Sequence, residues 1–253
     1  MPTVLLVAAP PSSSAMWTDV VRRFASHGLP ARAVELWEPV PTDATLAALA
    51  GALGRAISAI DGDVIVVAHG TAVPVARAAV ARTPVDGLVL TNGPLEALDP
   101  ATRTLAGLAR SPRALAATLL QPAAWNRWLA SSAGMRRTVV NPYVMDRDTV
   151  VALTAPYTRT AEHRAAAARF LRSLRTIPQP GVPLAARTLL VWGTEDPLYP
   201  TSVVDSARRL IPGIEVTEVP GGQHFHPVER PWYLADLVAE WLSGERSTGA
   251  ASR

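Results

Sequence analysis

Three short segments of the sequence hold residue types that could carry out chemistry. The first reads Ala68-His69-Gly70-Thr71-Ala72, the second places Asp196 in a Trp-Gly-x-x-Asp-Pro turn, and the third places His224 shortly after a pair of glycines. Each segment follows a short run rich in aliphatic residues. Carboxylates and imidazoles serve as general acids and bases in enzymes. The second and third segments are therefore suited to proton transfer, provided that the fold brings them together.

Short aliphatic runs alternate with longer helical patterns, which is typical of a parallel sheet covered on both faces. The fold class predicted is α/β, with a doubly wound, mainly parallel sheet of about six strands. The predicted strands are Thr3–Ala8, Ala31–Leu36, Asp63–Ala68, Gly87–Thr91, Arg187–Trp192 and Ile214–Val219. The predicted helices between and after them are Met16–Ser26, Asp43–Ile60 with Thr42 or Asp43 as its N-cap, Thr71–Arg82, Ser202–Leu210 and Pro231–Leu242.

The alternation stops between residues 94 and 183, where helical patterns follow one another without a convincing strand. We predict an inserted helical cap at residues 94–183, carried on a core formed by residues 1–93 and 184–253. A proline-rich segment ending at Pro183 marks the return to the core. The helical patterns are Thr102–Arg110, Ser111–Leu120, Ala123–Ser131, Asp146–Thr154 and Thr160–Leu174.

The order of these features resembles the α/β-hydrolase fold superfamily, in the branch that includes epoxide hydrolases, haloalkane dehalogenases and small esterases. A buried strand that enters a sharp turn and then a helix is the context of the nucleophile elbow, and the acid and the histidine follow in the family's order. The resemblance covers nearly the whole chain. It implies that Asp196 accepts a hydrogen bond from one nitrogen of His224 and leaves the other nitrogen facing the pocket as a base.

Two departures from the family's pattern bear on hydrolysis. Members carry Gly-x-Ser-x-Gly, or Asp in place of Ser, at the elbow, whereas Gly70 stands at the nucleophile position here. The backbone donor that the family takes from a His-Gly-x-Pro segment falls on Pro10, which has no N–H, although the N–H of Thr71 remains. Loss of a triad nucleophile costs about 10⁶ in turnover and loss of one oxyanion donor about 10²–10³. Ester hydrolysis through an acyl-enzyme is therefore not expected.

Other residues near the three segments have structural interpretations as well as functional ones. Asp196 and His224 could form a hydrogen bond between two loops that has no role in catalysis. We expect a structural role for His69, and His226 is expected to support the loop of His224 or to face solvent. Thr71 is not expected to replace the nucleophile, because its side chain leaves the helix start one position past the apex.

The pocket is expected to lie at the carboxyl ends of the strands, where ligands of such sheets bind. Loop, strand-end and cap residues contribute to it, and its aromatic character suits a flat, hydrophobic molecule better than a charged metabolite. The predicted substrate-contacting residues are Pro10, Met16, Trp17, Gly70, Thr71, Asn92, Trp125, Trp128 and Tyr157.

Composition bears on other classes of function. The 253 residues include no cysteine, which excludes disulfides and thiolate metal sites. The five histidines lack metal-ligand spacing apart from a single His-x-His, and no glycine-rich phosphate loop is present, so we expect neither metal nor cofactor. The net charge of +3 comes from arginines scattered among acids, which argues against nucleic-acid binding.

The cellular setting is also inferred from the sequence. Its apolar runs are far shorter than the roughly 20 residues of a membrane-spanning helix. No basic leader precedes the first aliphatic run. We therefore expect a cytoplasmic protein, a monomer or homodimer, with a small hydrophobic molecule as its partner and with neither membrane nor nucleic acid.

Three functions remain open. The main hypothesis is a cofactor-free, non-hydrolytic enzyme that uses His224 and Asp196 on a hydrophobic, polyketide-like intermediate, for example in cyclisation or carbon–carbon bond formation. The resemblance implies this possibility, since relatives without the nucleophile serve as lyases, cyclases and carbon–carbon bond-forming enzymes. The alternatives are a non-catalytic small-molecule-binding protein and a hydrolase in which His224 activates water.

Overall fold

Six parallel strands form the centre of the computed structural model. The structure describes residues 1–95, 98, 100–111, 122–177 and 187–244. The strand order in the sheet is β2-β1-β3-β4-β5-β6, and every neighbouring pair is parallel. The strands are β1 (Thr3–Val7), β2 (Ala31–Val34), β3 (Val64–His69), β4 (Gly87–Thr91), β5 (Arg187–Gly193) and β6 (Glu215–Val219).

The aliphatic runs explain this sheet. Every residue of β3 and β4 is buried, as are most residues of β1 and β5, while the edge strands β2 and β6 are half-buried. Continuous aliphatic runs of this kind are stable only where both faces of a sheet are covered. The prediction of an α/β fold with a parallel sheet is confirmed, and the boundaries of the strands differ from the predicted ones by at most two residues.

Helices lie between the strands in the chain and after the last strand. Among them α1 packs against α10, and α2 packs against α3. The helices are α1 (Thr18–Ser26), α2 (Leu46–Ser58), α3 (Ala72–Val80), α4 (Pro100–Leu108), α5 (Pro122–Leu129), α6 (Arg147–Thr158), α7 (Ala161–Ser173), α8 (Ser202–Leu210), α9 (His226–Glu229) and α10 (Pro231–Ser243).

The start of α2 differs from the prediction. The helix begins at Leu46, and the hydroxyl of Thr45 caps it by accepting the N–H of Ala48 at 3.2 Å. The carboxylate of Asp43 instead accepts the N–H of Thr45 at 3.2 Å and holds a turn ahead of the helix. The expected start at Asp43, with Thr42 or Asp43 as N-cap, is therefore wrong.

The described residues between β4 and β5 contain the helices α4 to α7 and short 3-10 turns, without a strand. Most of the helix predicted at Ser111–Leu120, like the proline-rich joint that ends at Pro183, lies outside the described residues. The division of the chain into core and cap remains a prediction. In the part of the chain that the structure describes, no helix is both long enough and apolar enough to cross a membrane.

Candidate active site

The turn between β3 and α3 has Gly70 at its apex. Gly70 adopts a left-handed conformation, with φ +57°, which glycine reaches without the steric cost of a side chain. Its N–H donates to the carbonyl of Thr91 at 3.2 Å, and its own carbonyl accepts the N–H of Val73 at 3.0 Å. A Cβ on Gly93 would lie 2.4 Å from the Gly70 carbonyl oxygen, so the turn after β4 packs closely against this one. The strand, turn and helix follow one another as the geometry of a nucleophile elbow requires.

His224 and Asp196 form a buried pair beside this turn. The acid lies in the loop after β5 and the histidine in the loop after β6, with Nδ1 of the imidazole 2.9 Å from Oδ2 of the carboxylate. Since an ionised carboxylate only accepts hydrogen bonds, Nδ1 is the donor. Nε2 lies 3.6 Å from the position that a Cβ on Gly70 would occupy. The structure thus brings together the two side chains that the sequence pairs.

Three further donors hold the carboxylate of Asp196. Nδ2 of Asn92 donates to Oδ2 at 2.7 Å, and the backbone N–H groups of Leu198 and Tyr199 donate to Oδ1 at 2.7 and 3.2 Å. Burial by itself would raise the pKa of Asp196, but the imidazole of His224 and these hydrogen bonds outweigh it and hold the pKa below its usual value. The carboxylate is therefore ionised at neutral pH and can stabilise an imidazolium on His224.

Asn92 supports the acid instead of bordering the cavity. It follows β4, is fully buried and has a φ of +26°. Its side-chain oxygen accepts the N–H of Gly193 at 2.8 Å, while its amide nitrogen donates to Asp196. Because both ends of the side chain are engaged within the protein, Asn92 is a positioning residue, which corrects its assignment to the substrate-contacting set.

A cavity of about 460 Å³ opens beside Gly70 and His224. Its walls come from the loops after β1, β3, β5 and β6, from α4 and α5, and from the segment that follows α5. Arg137 is the only residue with a permanent charge among the described wall residues. These are Ala9, Pro11, Ser12, His69, Gly70, Thr71, Thr102, Thr104, Leu108, Ala124, Trp128, Leu129, Ala133, Gly134, Met135, Arg137, Thr138, Leu198, Tyr199, His224 and Phe225.

Thr71 lies on the cavity wall, but its hydroxyl points to the loop after β1. Oγ1 donates to the carbonyl of Pro10 at 2.6 Å. The neighbours Ala9 and Pro11 border the cavity, whereas Pro10 supplies the carbonyl that fixes Thr71. Pro10, which was expected to contact the substrate, is therefore not among the described wall residues.

Met16 and Trp17 are buried behind the wall that they were expected to form. Both are almost fully buried, and the indole of Trp17 meets the ring of His69 edge to face, with centroids 6.3 Å apart. His69 borders the cavity, whereas Trp17 is not among the described wall residues. The physical reason is the short helical turn Ser14–Trp17, which directs these side chains into the core.

The three aromatic residues predicted from the cap have different places. Trp128 borders the cavity and is 39% exposed. Tyr157 is buried, donates its hydroxyl to the carbonyl of Pro11 and packs against Trp37, so it stabilises the loop and not the wall. Trp125 lies in α5, but its side chain is outside the part that the structure describes.

Several wall residues are missing from the sequence-based set. Tyr199 stacks on His224, with ring centroids 5.8 Å apart and an angle of 30° between the planes. Phe225 meets the same imidazole nearly at right angles, with centroids 4.9 Å apart. Their closeness in sequence to Asp196 and His224 is a signal that could have identified both. Arg137 has no such signal, because its place depends on how the segment after α5 folds back.

Two other histidines are buried near His224. Nδ1 of His69 lies 2.7 Å from Oγ1 of Thr91. Burial, and after it the charge of His224, lowers the pKa of His69 well below its usual value and that of His226 to about 3. His226 is 1% exposed and neither of its ring nitrogens has a partner among the described residues, so it does not face solvent. Both histidines are neutral at pH 7.

No cluster of three or more histidine, aspartate or glutamate side chains that could hold a metal ion occurs among the residues that the structure describes. Beside the turn at Gly70, Nε2 of His224 and the backbone N–H of Thr71 have no hydrogen-bond partner among the described residues.

The sequence pattern of the alpha/beta hydrolase family matches residues 4–236, which is most of the chain. The chain belongs to the alpha/beta hydrolase family. No curated protein sequence matches it.

Solved structures of other alpha/beta hydrolases have the same fold. A thermophilic esterase from Thermogutta terrifontis is 17% identical and has a TM-score of 0.72, with 98% of this chain and 91% of the esterase covered. A haloalkane dehalogenase from Bradyrhizobium elkani is 18% identical, with a TM-score of 0.75 and coverage of 98% and 92%. An epoxide hydrolase from Bacillus megaterium is 16% identical, with a TM-score of 0.65 and coverage of 96% and 94%. At these identities the likeness concerns the fold alone.

Proposed function

We propose that this alpha/beta hydrolase family member is a cofactor-free, non-hydrolytic enzyme in which His224, oriented by Asp196, transfers protons on a hydrophobic, polyketide-like intermediate. The reaction class is cyclisation or carbon–carbon bond formation by intramolecular addition. One observation supports the proposal above all. His224 and Gly70 both border the cavity, and Nε2 of His224 faces Gly70, the residue at the position where a serine hydrolase has its nucleophile.

Proton transfer accounts for such an addition in two steps. Nε2 of His224 removes a proton from the carbon that becomes the nucleophile, and the electron pair of that C–H bond forms the new carbon–carbon bond. The ionised carboxylate of Asp196 stabilises the resulting imidazolium through Nδ1. The imidazolium then returns the proton to the atom at the other end of the substrate that has received the displaced electron pair. Atoms and charge balance within the substrate, so the reaction needs neither oxidant nor reductant.

In this reaction Gly70 leaves space for the substrate, and Thr71 provides a backbone N–H as a hydrogen-bond donor. Without a side chain at residue 70, a substrate can approach Nε2 directly. The backbone N–H of Thr71, at the start of α3, is available to a developing enolate oxygen. The walls supply an apolar setting, in which such a hydrogen bond is stronger than in water.

A test of the base uses a probe that needs only proton removal. Nitrobenzisoxazole loses its ring proton to a base as its N–O bond breaks, and the nitrophenolate formed is coloured. We expect the wild-type protein to accelerate this elimination, and His224→Gln to lower its kcat/KM by about 10²-fold or more, since a positioned base contributes roughly 10²–10⁴. Asp196→Asn is expected to have a large effect too, because the imidazolium loses its ionised partner.

The chain contains a matched control for these variants. His27 and Asp236 form a second histidine–aspartate pair, with 2.6 Å between Nε2 and Oδ1, on the surface and away from the cavity. His27→Gln breaks that pair and is expected to leave the elimination rate unchanged. If His224→Gln behaves like His27→Gln, His224 is not the base and the proposed function is wrong.

Hydrolysis by water that His224 activates is the second candidate, because the same free Nε2 could serve it and the similar structures are named as hydrolases. Incubation with para-nitrophenyl acetate separates the two candidates. We expect hydrolysis at the rate of buffer alone. Hydrolysis that is clearly faster and that depends on His224 would favour the water-activating hydrolase. Loss of both reactions, with retained binding of small apolar molecules, would favour the binding protein.

A further inference from the structure

Arg137 gives the cavity a feature that the proposed proton transfer does not use. It is the only residue with a permanent charge among the described residues of the wall, and no described carboxylate shares the wall with it. Arg137 is exposed, and within the described part of the chain its guanidinium makes no ion pair and no side-chain hydrogen bond. A cation on an otherwise apolar and hydroxyl-bearing wall is complementary to an anionic group on the ligand.

Three of the wall hydroxyls are not free to donate a hydrogen bond to an anion. Thr71 donates to Pro10, Ser12 donates to Ala9, and Thr104 donates to Pro100, in each case to a backbone carbonyl. Each hydroxyl has a single hydrogen, which is used in this way. The guanidinium of Arg137, with its five N–H donors, is therefore better able than these hydroxyls to bind an anion.

The segment that carries Arg137 is fixed relative to His224. The N–H of Phe225, the residue after the base, donates to the carbonyl of Thr138 at 3.0 Å. At the other end of the segment, a Cβ on Gly134 would lie 2.1 Å from the carbonyl oxygen of Trp128, so the chain passes in direct contact with the end of α5. The backbone of Arg137 is thereby held between α5 and the loop of the base.

We propose that Arg137 binds a carboxylate of the substrate, so that the molecule processed in the cavity is an apolar acid. The planar guanidinium matches a carboxylate in two parallel hydrogen bonds. The inference rests on the proposed function, since it names the substrate class of the same cavity, and it replaces the expectation of an uncharged ligand. Arg137 orients the apolar body of the acid toward His224, and it is a specificity-determining residue.

The neighbouring arginine makes a matched control possible. Nε of Arg136 donates to the carbonyl of Pro142 at 3.2 Å, and Arg136 is not part of the cavity wall. Arg136→Gln and Arg137→Gln remove the same charge from adjacent positions of one segment. Only the second variant removes it from the wall.

The experiment measures the binding of naphthoate and of its uncharged analogue naphthamide by calorimetry. We expect the wild type and Arg136→Gln to bind naphthoate roughly tenfold more tightly than naphthamide, because hydrogen bonds between charged groups are about twice as strong as neutral ones. Arg137→Gln is expected to lose this preference while its affinity for naphthamide stays the same. A preference that survives in Arg137→Gln, or its absence in the wild type, would overturn the inference.

This titration is independent of proton transfer. A preference for naphthoate that depends on Arg137, in a protein whose elimination activity does not depend on His224, would support the carboxylate site and contradict the proposed function. Elimination activity that depends on His224, without any preference for naphthoate, would support the proposed function and contradict the carboxylate site.

Discussion

Position 70 shows how little separates this site from that of a serine hydrolase. The backbone has the left-handed φ of an elbow, and the imidazole nitrogen lies 3.6 Å from where a Cβ would be. A serine hydroxyl one bond beyond that Cβ would come within hydrogen-bonding reach of Nε2 of His224. The carboxylate of Asp196, the imidazole of His224 and the turn are arranged as in a triad, so a hydroxymethyl group at residue 70 would supply the missing nucleophile.

The variant Gly70→Ser tests this statement. We expect it to react with para-nitrophenyl acetate in a burst and to carry an acetyl group that mass spectrometry of the intact protein detects. Steady-state hydrolysis should stay about 10²–10³ below that of an enzyme with a complete oxyanion hole, because Pro10 has no N–H to donate. Gly70→Ala, which has the same Cβ in the same strained backbone, is the control and should show no burst. A folded Gly70→Ser variant without acylation would show that residue 70 is not placed for attack.

A substitution of Asn92 tests whether this residue acts by positioning Asp196 or by contact with the substrate. Asn92→Ala removes a hydrogen bond to Asp196 and leaves the buried N–H of Gly193 without its partner. We expect the free energy of unfolding to fall by about 1–3 kcal/mol. For the nitrobenzisoxazole elimination kcat should fall by roughly tenfold with KM unchanged, since Asn92 does not border the cavity. An increase in KM at constant kcat would instead place Asn92 in contact with the probe.

Among the helices and strands, the boundaries of the most deeply buried elements were the ones that the sequence predicted well. The strands were predicted to within two residues because a strand buried on both faces has to be a continuous aliphatic run. The start of α2 was missed because Thr42, Asp43 and Thr45 are all good N-caps, and only the local turn decides between them.

The site could be predicted only where it depends on strand ends. Asp196 and His224 follow strands, and parallel strands bring their carboxyl ends to one edge of the sheet. The places of Trp17 and Arg137 depend instead on how short helical turns pack against distant loops, for example through the hydrogen bond from Phe225 to Thr138. Such contacts leave no periodic pattern in the sequence.

The cap of α2 provides a prediction at this scale. Thr45→Ala removes the hydroxyl that accepts the N–H of Ala48, and we expect it to lower the free energy of unfolding by about 1 kcal/mol. Thr42→Ala changes the same residue type three positions earlier, on an exposed side chain, and should have an effect within about 0.5 kcal/mol of zero. Denaturation by urea measures both. Equal effects of the two variants would place the start of the helix elsewhere.

The molecule holds two buried, neutral histidines next to His224, and their burial couples the stability of the fold to pH. In the unfolded chain His69 and His226 titrate near the ordinary value of about 6.5, whereas burial lowers the pKa of His69 well below that value and the pKa of His226 to about 3. Below about pH 6.5 the unfolded chain therefore binds more protons than the folded protein. The contribution to stability is complete above this pH and decreases as the pH falls toward the folded-state values.

We therefore expect the free energy of unfolding to fall by up to about 1.4 kcal/mol per pH unit through His226 between about pH 6 and pH 4.5, and His69 adds a contribution of the same sign. The ionised Asp196 adds to the acid sensitivity only at lower pH, because its pKa lies below the usual value. In His226→Leu the slope should become shallower by about one proton, whatever the effect of the substitution on packing at pH 7.5. Urea titrations at a series of pH values give both slopes. Equal slopes for the variant and the wild type would mean that folding does not lower the pKa of His226.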